Sequence, residues 1–389
     1  MNKLANEMKS ELKNHILPFW MKLIDRRYGG FFGKVDGNLN IVQKAEKGSI
    51  LNSRILWTFS SAYLSFKAIE YLEFAHHSYQ FLRNNLIDKK FGGLFWSTDF
   101  KGIVKNDSKH IYNIAFAIYA LSEYYLATKD DEVKSLAISL FNLIESKGKD
   151  VKGYLEEFDI QWNVVPNVML SESGVIADRT LNTHLHLLEA YTNLYRIWKH
   201  KSVKDQICFI LKLFDKVIFD RNTNSFKVFF DINWNSLVNL QSFGHDIEAT
   251  WLINKALDIT GLENQNLIEI IKKVSKNIQK VSLIDNSILN ESFNGKIDTD
   301  RIWWVQTEAI VGFLNFYQLT GDKSFLKDAT NIWRFIKNFI IDNDENGEWN
   351  MRVSKEFNKY PEDDIVGPWK CPYHNSRMCL EIIERNKCF

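Results

Sequence analysis

Ile111-Tyr112-Asn113-Ile114-Ala115-Phe116-Ala117-Ile118-Tyr119-Ala120-Leu121-Ser122-Glu123-Tyr124-Tyr125-Leu126 is apolar on nearly every face of a 3.6-residue period. A helix of this kind has no side to turn to water, so it needs packed neighbours on both flanks and behind it. The stretch 302–317 reads the same way. Other segments are one-sided: Val133, Leu136, Ala137, Leu140, Phe141 and Ile144 recur at i, i+3, i+4, i+7, i+8 and i+11 among Lys, Ser and Asn. The stretches 203–218, 267–281 and 325–340 behave similarly. Enclosed and one-sided helices therefore alternate along the chain.

The joints between them carry a recurring signature. Gly29-Gly30-Phe31-Phe32-Gly33, Gly92-Gly93-Leu94-Phe95-Trp96 and Gly153-Tyr154-Leu155-Glu156-Glu157-Phe158 are its clearest copies. Weaker ones stand at Asn224-Ser225-Phe226-Lys227-Val228-Phe229-Phe230-Asp231, Asn286-Ser287-Ile288-Leu289-Asn290 and Asn346-Gly347-Glu348-Trp349-Asn350. Six copies roughly sixty residues apart exceed the usual solenoid period and predict a closed ring of outer helix, short hairpin and inner helix. The expected fold is all-α, an (α/α)6 barrel forming one catalytic domain over 1–389. Its inner helices are expected to start near residues 50, 110, 180, 245, 302 and 373, and its outer helices near 4, 68, 131, 203, 265 and 324. A β/α barrel fits less well, because its strands would be single apolar runs, each followed by one helix. The long loops 34–48 and 355–372, punctuated by Gly and Pro, are expected to cover one mouth.

With 49 basic against 48 acidic residues there is no field to gather nucleic acid or anionic lipid, and no basic run resembles a nucleic-acid footprint. The first residues mix Lys, Glu and Asn into their apolar positions, unlike a signal-peptide core. The longest apolar stretch, 114–127, is broken by Ser122 and Glu123 and is too short to span a bilayer. These features predict a cytoplasmic protein without nucleic-acid or membrane partners. Near-neutral charge and no evident exposed apolar seam predict a monomer or weak dimer. Cys208, Cys371, Cys379 and Cys388 show neither CxxC pairing nor an array of metal-ligand spacings and read as reduced thiols.

If the inner helices run parallel round one axis, their first turns meet at one mouth. Those turns are polar: Arg54; His110 with Tyr112; Asn182 with His186; His245 with Glu248; Trp303 with Trp304 and Gln306; His374 with Asn375. Packing alone gives no reason for all six segments to deliver hydrogen-bonding or aromatic groups to one place. In Gly244-His245-Asp246-Ile247-Glu248-Ala249-Thr250-Trp251, the residues His245, Glu248 and Trp251 stand three apart and share one sector of a helix. They supply a proton-transfer group, a hydrogen-bond acceptor and a flat apolar plate, a combination that suits a sugar. A lone helical His is more often structural than catalytic, and the company His245 keeps is what argues otherwise. The histidines 186, 245 and 374 could also converge on a zinc ion. Against this, no pair has His-x-x-x-His spacing, and His184 and His186 point to different helix faces. Acid–base chemistry, for which imidazole titrates near neutral pH, is favoured.

Six segments carry a resemblance. They are Lys47-Gly48-Ser49-Ile50-Leu51-Asn52-Ser53-Arg54-Ile55-Leu56-Trp57, Lys109-His110-Ile111-Tyr112-Asn113, Leu181-Asn182-Thr183-His184-Leu185-His186, the 244–251 stretch above, Trp303-Trp304-Val305-Gln306, and Gly367-Pro368-Trp369-Lys370-Cys371-Pro372-Tyr373-His374-Asn375. Through them the chain resembles, over essentially its full length, the N-acylglucosamine 2-epimerase family, and within it the members that act on β-1,4-linked disaccharides. The resemblance implies an (α/α)6 barrel that converts the reducing-end glucose of cellobiose and related disaccharides to mannose at C2. It implies no metal, nucleotide or other cofactor. His245 and His374 match the two family histidines that exchange the C2 proton from opposite walls.

The chemistry accounts for the remaining residues. C2–H is acidic only beside a carbonyl, so the sugar must open and an enediolate must be held. Arg54 is expected to stabilise the charge on the carbonyl oxygen, with a buried ion pair to a local carboxylate as the plainer alternative. His186, on one face with Asn182, is expected to polarise O1 or assist ring opening. Tyr112 and Asn182 are expected to bond sugar hydroxyls. Glu248 would orient His245 or accept a hydroxyl hydrogen bond, unless it merely complements the helix dipole. Trp304 and Trp369 are expected to stack on pyranose rings, with Trp303 and Trp251 nearer to packing. His15, His76, His77 and His200 receive no role. The rival readings are an aldose–ketose isomerase, an N-acylglucosamine 2-epimerase, an inverting glycoside hydrolase using carboxylates such as Glu248 and Glu308, and a non-catalytic carbohydrate- or protein-binding barrel.

Overall fold

Six helices that are buried on nearly every side form the centre of the computed structural model, which describes residues 1–169, 174–342 and 347–388. Asn346 of the sixth joint and the side chain of Cys388 lie outside the described residues. The outer layer comprises α1 (Asn2–Glu11), continued through a π-helical turn into α2 (Leu17–Lys22), with α4 (Ile69–Phe81), α6 (Asp131–Lys147), α8 (Lys201–Leu213), α10 (Gln265–Val281) and α12 (Lys323–Phe335). The inner layer is α3 (Ser49–Phe66), α5 (Ile111–Thr128), α7 (Leu181–Ile197), α9 (Phe243–Thr260), α11 (Trp303–Thr320) and α13 (Tyr373–Arg385). Each inner helix packs on the next, and α13 returns to α3, so the six close on themselves. The outer helices α1, α4, α6, α8, α10 and α12 pack on α13, α3, α5, α7, α9 and α11 respectively. Among the described residues, strands form only two- and three-stranded sheets, so no barrel of strands exists. No described helix is long and apolar enough to cross a membrane.

Local chemistry sets the helix ends. Four outer helices begin at a side-chain cap: Asp130, His200, Asn264 and Asp322 each accept from a backbone N–H of the first turn. Four inner helices, α3, α9, α11 and α13, begin without a side-chain cap bond. The first amides of α3, α9 and α11 donate instead to the carbonyls of Trp96, Asn290 and Met351, and the positive ends of the helix dipoles still point toward the mouth.

All six joints are hairpins, paired at Ile24 with Phe31, Ile87 with Leu94, Lys149 with Tyr154, Phe219 with Phe226, Leu283 with Ile288, and Ile341 with Trp349. The turn residues explain why the signature has strong and weak copies. Gly29, Gly30, Gly92 and Gly93 all have positive φ, and where glycine is missing Asn224 and Asn286 adopt the same left-handed region.

The strand entering each inner helix pairs with a strand of the next repeat: Lys47–Gly48 with Ser97–Thr98, Lys109–His110 with Glu157–Phe158, Arg179–Thr180 with Phe229–Phe230, Leu240–Ser242 with Glu291–Phe293, and Arg301–Ile302 with Arg352–Val353. A bridge from Val366 to Val35 joins the last repeat to the first, aided by Lys34 and Asp364 at 2.8 Å. The loops 34–48 and 355–372 therefore close the ring against each other.

A buried cation also recurs on these strands. Lys47 meets Asp25 at 2.6 Å, Lys109 meets Asp88 at 2.6 Å and Arg179 meets Asp150 at 2.5 Å. Each acid also takes two backbone N–H groups of its hairpin turn, as Asp88 does from Lys90 and Phe91. Removing the cation strands a carboxylate away from water. Lys109→Met is therefore expected to lower unfolding stability by about 3–5 kcal/mol, read as a fall in the denaturant midpoint. A midpoint within error of the parent would show that the pair contributes nothing.

Candidate active site

The N-terminal turns of the inner helices converge on one mouth, and the aromatic contacts trace how. Trp304 of α11 lies against His245 of α9 at 4.8 Å and against His374 of α13 at 5.5 Å between ring centroids. Gly244 permits this approach, since a Cβ there would come within 2.5 Å of the Trp304 ring. On the other side, Tyr112 of α5 contacts His186 of α7 at 5.2 Å and Trp369 at 5.9 Å. Trp369 meets Trp96 edge-on at 6.0 Å. Trp96, Trp304 and Trp369 are half-buried, as are His245 and Asn182. Beside them opens a hollow of about 590 Å³ lined in part by Glu46, Trp96, Ser97 and Trp369. A second hollow, of about 640 Å³, lies at the C-terminal ends of the inner helices. It reaches Glu189 from below, whereas His245, His374 and Trp304 do not line it.

Arg54 is 2 % exposed and has no carboxylate partner among the described residues. Its Nη2 donates to Tyr112 Oη at 2.8 Å, and its Nη1 reaches the Trp369 carbonyl at 3.4 Å and Cys371 Sγ at 3.6 Å. The guanidinium lies beside the T-shaped pair of Phe116 and Tyr373, 4.2 and 4.8 Å from their ring centroids. The ion-pair alternative for Arg54 is thereby set aside. A buried cation with no counter-charge is a receptor for an anion.

Each histidine is held by its Nδ1, leaving Nε2 for a ligand. His374 Nδ1 meets Glu308 at 2.7 Å, His186 Nδ1 meets Glu189 at 2.9 Å, and His245 Nδ1 meets Ser242 Oγ at 2.8 Å. Burial, reinforced by His186, pulls His245 down to about 3. Burial, then Arg377 and Arg54, holds His374 well below the usual imidazole range. Both rings are thus neutral proton acceptors at neutral pH.

One turn lower is a charged floor. Arg377 joins Glu189, Glu248 and Glu308, and Tyr373 Oη donates to Glu189 at 2.5 Å. Burial raises Glu248 to about 7, with Glu308 adding to the effect, and raises Glu308 as well. Glu189 is buried too, yet Arg377 and His186 hold it well below the ordinary carboxylate range. Glu248, Glu308 and His374 bring potential metal-ligand atoms within 4.8 Å of one another. The Arg377 guanidinium already donates to both carboxylates, which fits a charge-compensated cluster better than a cation site.

Several expected residues occupy other places. Trp251 is fully buried, and its indole N–H donates to Glu308 at 3.0 Å, so it is no plate for a sugar. Trp303 is 3 % exposed and meets His374 edge-on, with Lys370 over its ring. Glu248 is fully buried against Arg377, and Ser242 rather than Glu248 holds His245. Gln306 binds the backbone of Ile288, Asn375 binds Glu348, and His110 caps α5. Asn182 keeps its side-chain oxygen unpartnered. Reading one turn further would have found the floor, since Glu189 follows His186 by three, Arg377 follows His374 by three and Glu308 follows Trp304 by four. Phe116, Ser242 and Trp96 had no such signal.

Comparison with known proteins gives the chain its relatives. A cellobiose 2-epimerase of Ruminococcus albus is 47 % identical over 384 residues, covering 98 % of this chain and 99 % of that protein. One of Dictyoglomus turgidum is 43 % identical over 388 residues, covering 98 % of each. The solved structure of cellobiose 2-epimerase from Bacillus thermoamylovorans B4167 superposes with a TM-score of 0.97 at 46 % identity, over 99 % of this chain and 100 % of that one. Residues 30–377 match the family described as N-acylglucosamine 2-epimerase (GlcNAc 2-epimerase), and the chain belongs to that family.

Proposed function

We propose that this chain is a carbohydrate epimerase that inverts C2 of the reducing-end glucose of cellobiose and related β-1,4-linked disaccharides, giving the mannose epimer. The observation that carries the reading is the pair of imidazoles, His245 and His374, that both lie against the ring of Trp304. The likeness over full length to cellobiose 2-epimerases supports the substrate. In this reading the ring of helices is an (α/α)6 barrel forming one catalytic domain over 1–389. The enzyme works in the cytoplasm as a monomer or weak dimer, without metal or cofactor.

The reaction begins with ring opening, assisted by His186 at O1. One imidazole Nε2 then takes the C2 proton while the C2–H electron pair moves toward C1 and the carbonyl oxygen becomes anionic. Arg54 receives that charge, and the uncapped N-termini of α3, α9, α11 and α13 favour it. The second imidazole returns a proton to the opposite face of C2. Because both resting rings are neutral, the ring that returns a proton first takes one up from water once the substrate is bound, and the ring that took the C2 proton releases it to water afterwards, so protons balance over the turnover. No net oxidation occurs, and exchanging the roles of the two rings runs the reaction backward. Trp304 and Trp369 stack on the pyranose rings, while Tyr112 and Asn182 bond hydroxyls.

The test is incubation with cellobiose in heavy water. The expected result is deuterium at C2 of a disaccharide whose reducing end is now mannose, unaffected by chelator. A fructose-type product would make the chain an aldose–ketose isomerase. Free glucose would make it a hydrolase, and absence of any C2 exchange would remove the epimerase reading.

A further inference from the structure

Arg377 lies one helical turn below His374 and is 1 % exposed. Its Nη1 donates to Glu189 and to Tyr373 Oη, and its Nη2 donates to Glu248 and to Glu308, the last at 2.7 Å. One guanidinium therefore ties together acids from α7, α9 and α11. Glu308 Oε1, which accepts from Arg377, is the same atom that meets His374 Nδ1 at 2.7 Å. Glu189 accepts from Arg377 on one oxygen and meets His186 on the other. A stack also runs through the floor. The Arg377 guanidinium lies between Tyr373, at 4.3 Å, and Trp251, at 4.7 Å, and the Tyr373 ring also faces Arg54 at 4.8 Å.

We propose that Arg377 is the positioning residue of the acid–base apparatus, fixing His374 through Glu308 and His186 through Glu189 so that both rings present Nε2 to the substrate. The role in catalysis rests on the epimerase reading above. Three carboxylates this close repel one another and take up protons unless a cation joins them. A protonated Glu308 could donate as well as accept, so it would no longer hold His374 in the Nδ1–H form. Lysine carries the charge but lacks the planar fork that reaches several acids at once.

The charges facing His374 set the direction of a pH effect. They are Arg54 from α3, His186 and Glu189 from α7, His245 and Glu248 from α9, Glu308 from α11, and Tyr373 and Arg377 from its own helix. On the outer face of α13, α1 brings Met8 to Cys379 and Glu11 near it. Arg377 opposes protonation of His374, so removing it lets the ring keep a proton to higher pH.

In the full chain, Arg377→Ala is expected to lower kcat by about 10²-fold with KM little changed. The acid limb of kcat/KM should move to higher pH by about one unit or more. Guanidinium chloride below denaturing concentration, unlike sodium chloride at equal ionic strength, should restore part of kcat and move the limb back. The ¹⁵N shifts of His374 without substrate, assigned with His374→Asn, should change from the Nδ1–H form toward imidazolium. If Arg377→Ala does not fold, Arg377→Lys decides, with a loss in kcat and a smaller limb shift expected. A folded Ala variant, or the Lys variant, with the parent's kcat and pH profile would overturn the proposal. Lost activity with no limb shift, no guanidinium rescue and unchanged ¹⁵N shifts would also overturn it, as a merely structural role. If the parent shows no C2 exchange, the epimerase reading fails, while the ¹⁵N comparison still tests Arg377.

Discussion

Asparagine in place of His374 is expected to lower kcat for cellobiose epimerisation by about 10²–10⁴-fold, and asparagine in place of His245 to do the same. Asparagine is close to imidazole in shape and can still bond Glu308 or Ser242, so the loss reports proton transfer more than packing. The sharper signature is isotopic. With two bases on opposite walls, each single variant keeps the base that serves one epimer. In heavy water it should therefore exchange the C2 hydrogen of either the gluco or the manno disaccharide, and form neither from the other. The epimer that still exchanges identifies which histidine serves which direction. The double variant should exchange neither. Single variants that exchange both epimers at parental rates would sink the two-base mechanism. The depressed pKa of His245, about 3, adds a condition on pH. A lowered value means that the neutral acceptor form persists as pH falls, so exchange begun by His245 should continue well below pH 6.5, where an ordinary imidazole would be half protonated.

Arg54→Met is expected to lower kcat by about 10²–10³-fold without lowering the thermal midpoint. The two halves of this prediction have one origin. Arg54 carries a buried positive charge with no carboxylate beside it, held by a tyrosine hydroxyl, a carbonyl, a thiol and two ring faces. Such a charge is expensive to bury in the resting fold, and it is compensated when an enediolate forms. Replacement by an apolar chain of similar length removes the strain together with the function, a trade-off common at active sites. Arg54→Lys should recover little activity, because a planar fork that reaches Tyr112, the Trp369 carbonyl and Cys371 together is something guanidinium has and ammonium lacks. A large drop in the midpoint of Arg54→Met with kcat retained would show a structural cation instead.

The ring was legible because its periodicities are local. Whether a stretch such as 111–126 is apolar all round or striped like 133–144 is decided by neighbours three and four apart, and the amphipathic and enclosed helices fall where their patterns place them. The hairpin joints were legible because turns with positive φ leave glycine or asparagine behind. The repeated ion pairs were not. Lys109 and Asp88 are 21 residues apart, with nothing in either neighbourhood to mark them as partners, and only the docking of strand on hairpin buries them together.

The site divides along the same line. The sequence by itself determined which helices carry imidazoles, the guanidinium and the indoles at their first turns, because those residues stand at the starts of recognisable helices. It also determined the family. The tertiary structure decided which groups face the cup and which lie beneath it. Trp251 and Glu248 share a helical sector with His245, yet a turn of helix carries them below it, where α11 and α13 supply Glu308 and Arg377. Spacing along one helix reports a direction around its axis and a rise along it, whereas which level opens to the cup and which is sealed depends on how far the neighbouring helices crowd in. The charge state of the two histidines belongs to that crowding as well, since it comes from burial and from cations on other helices.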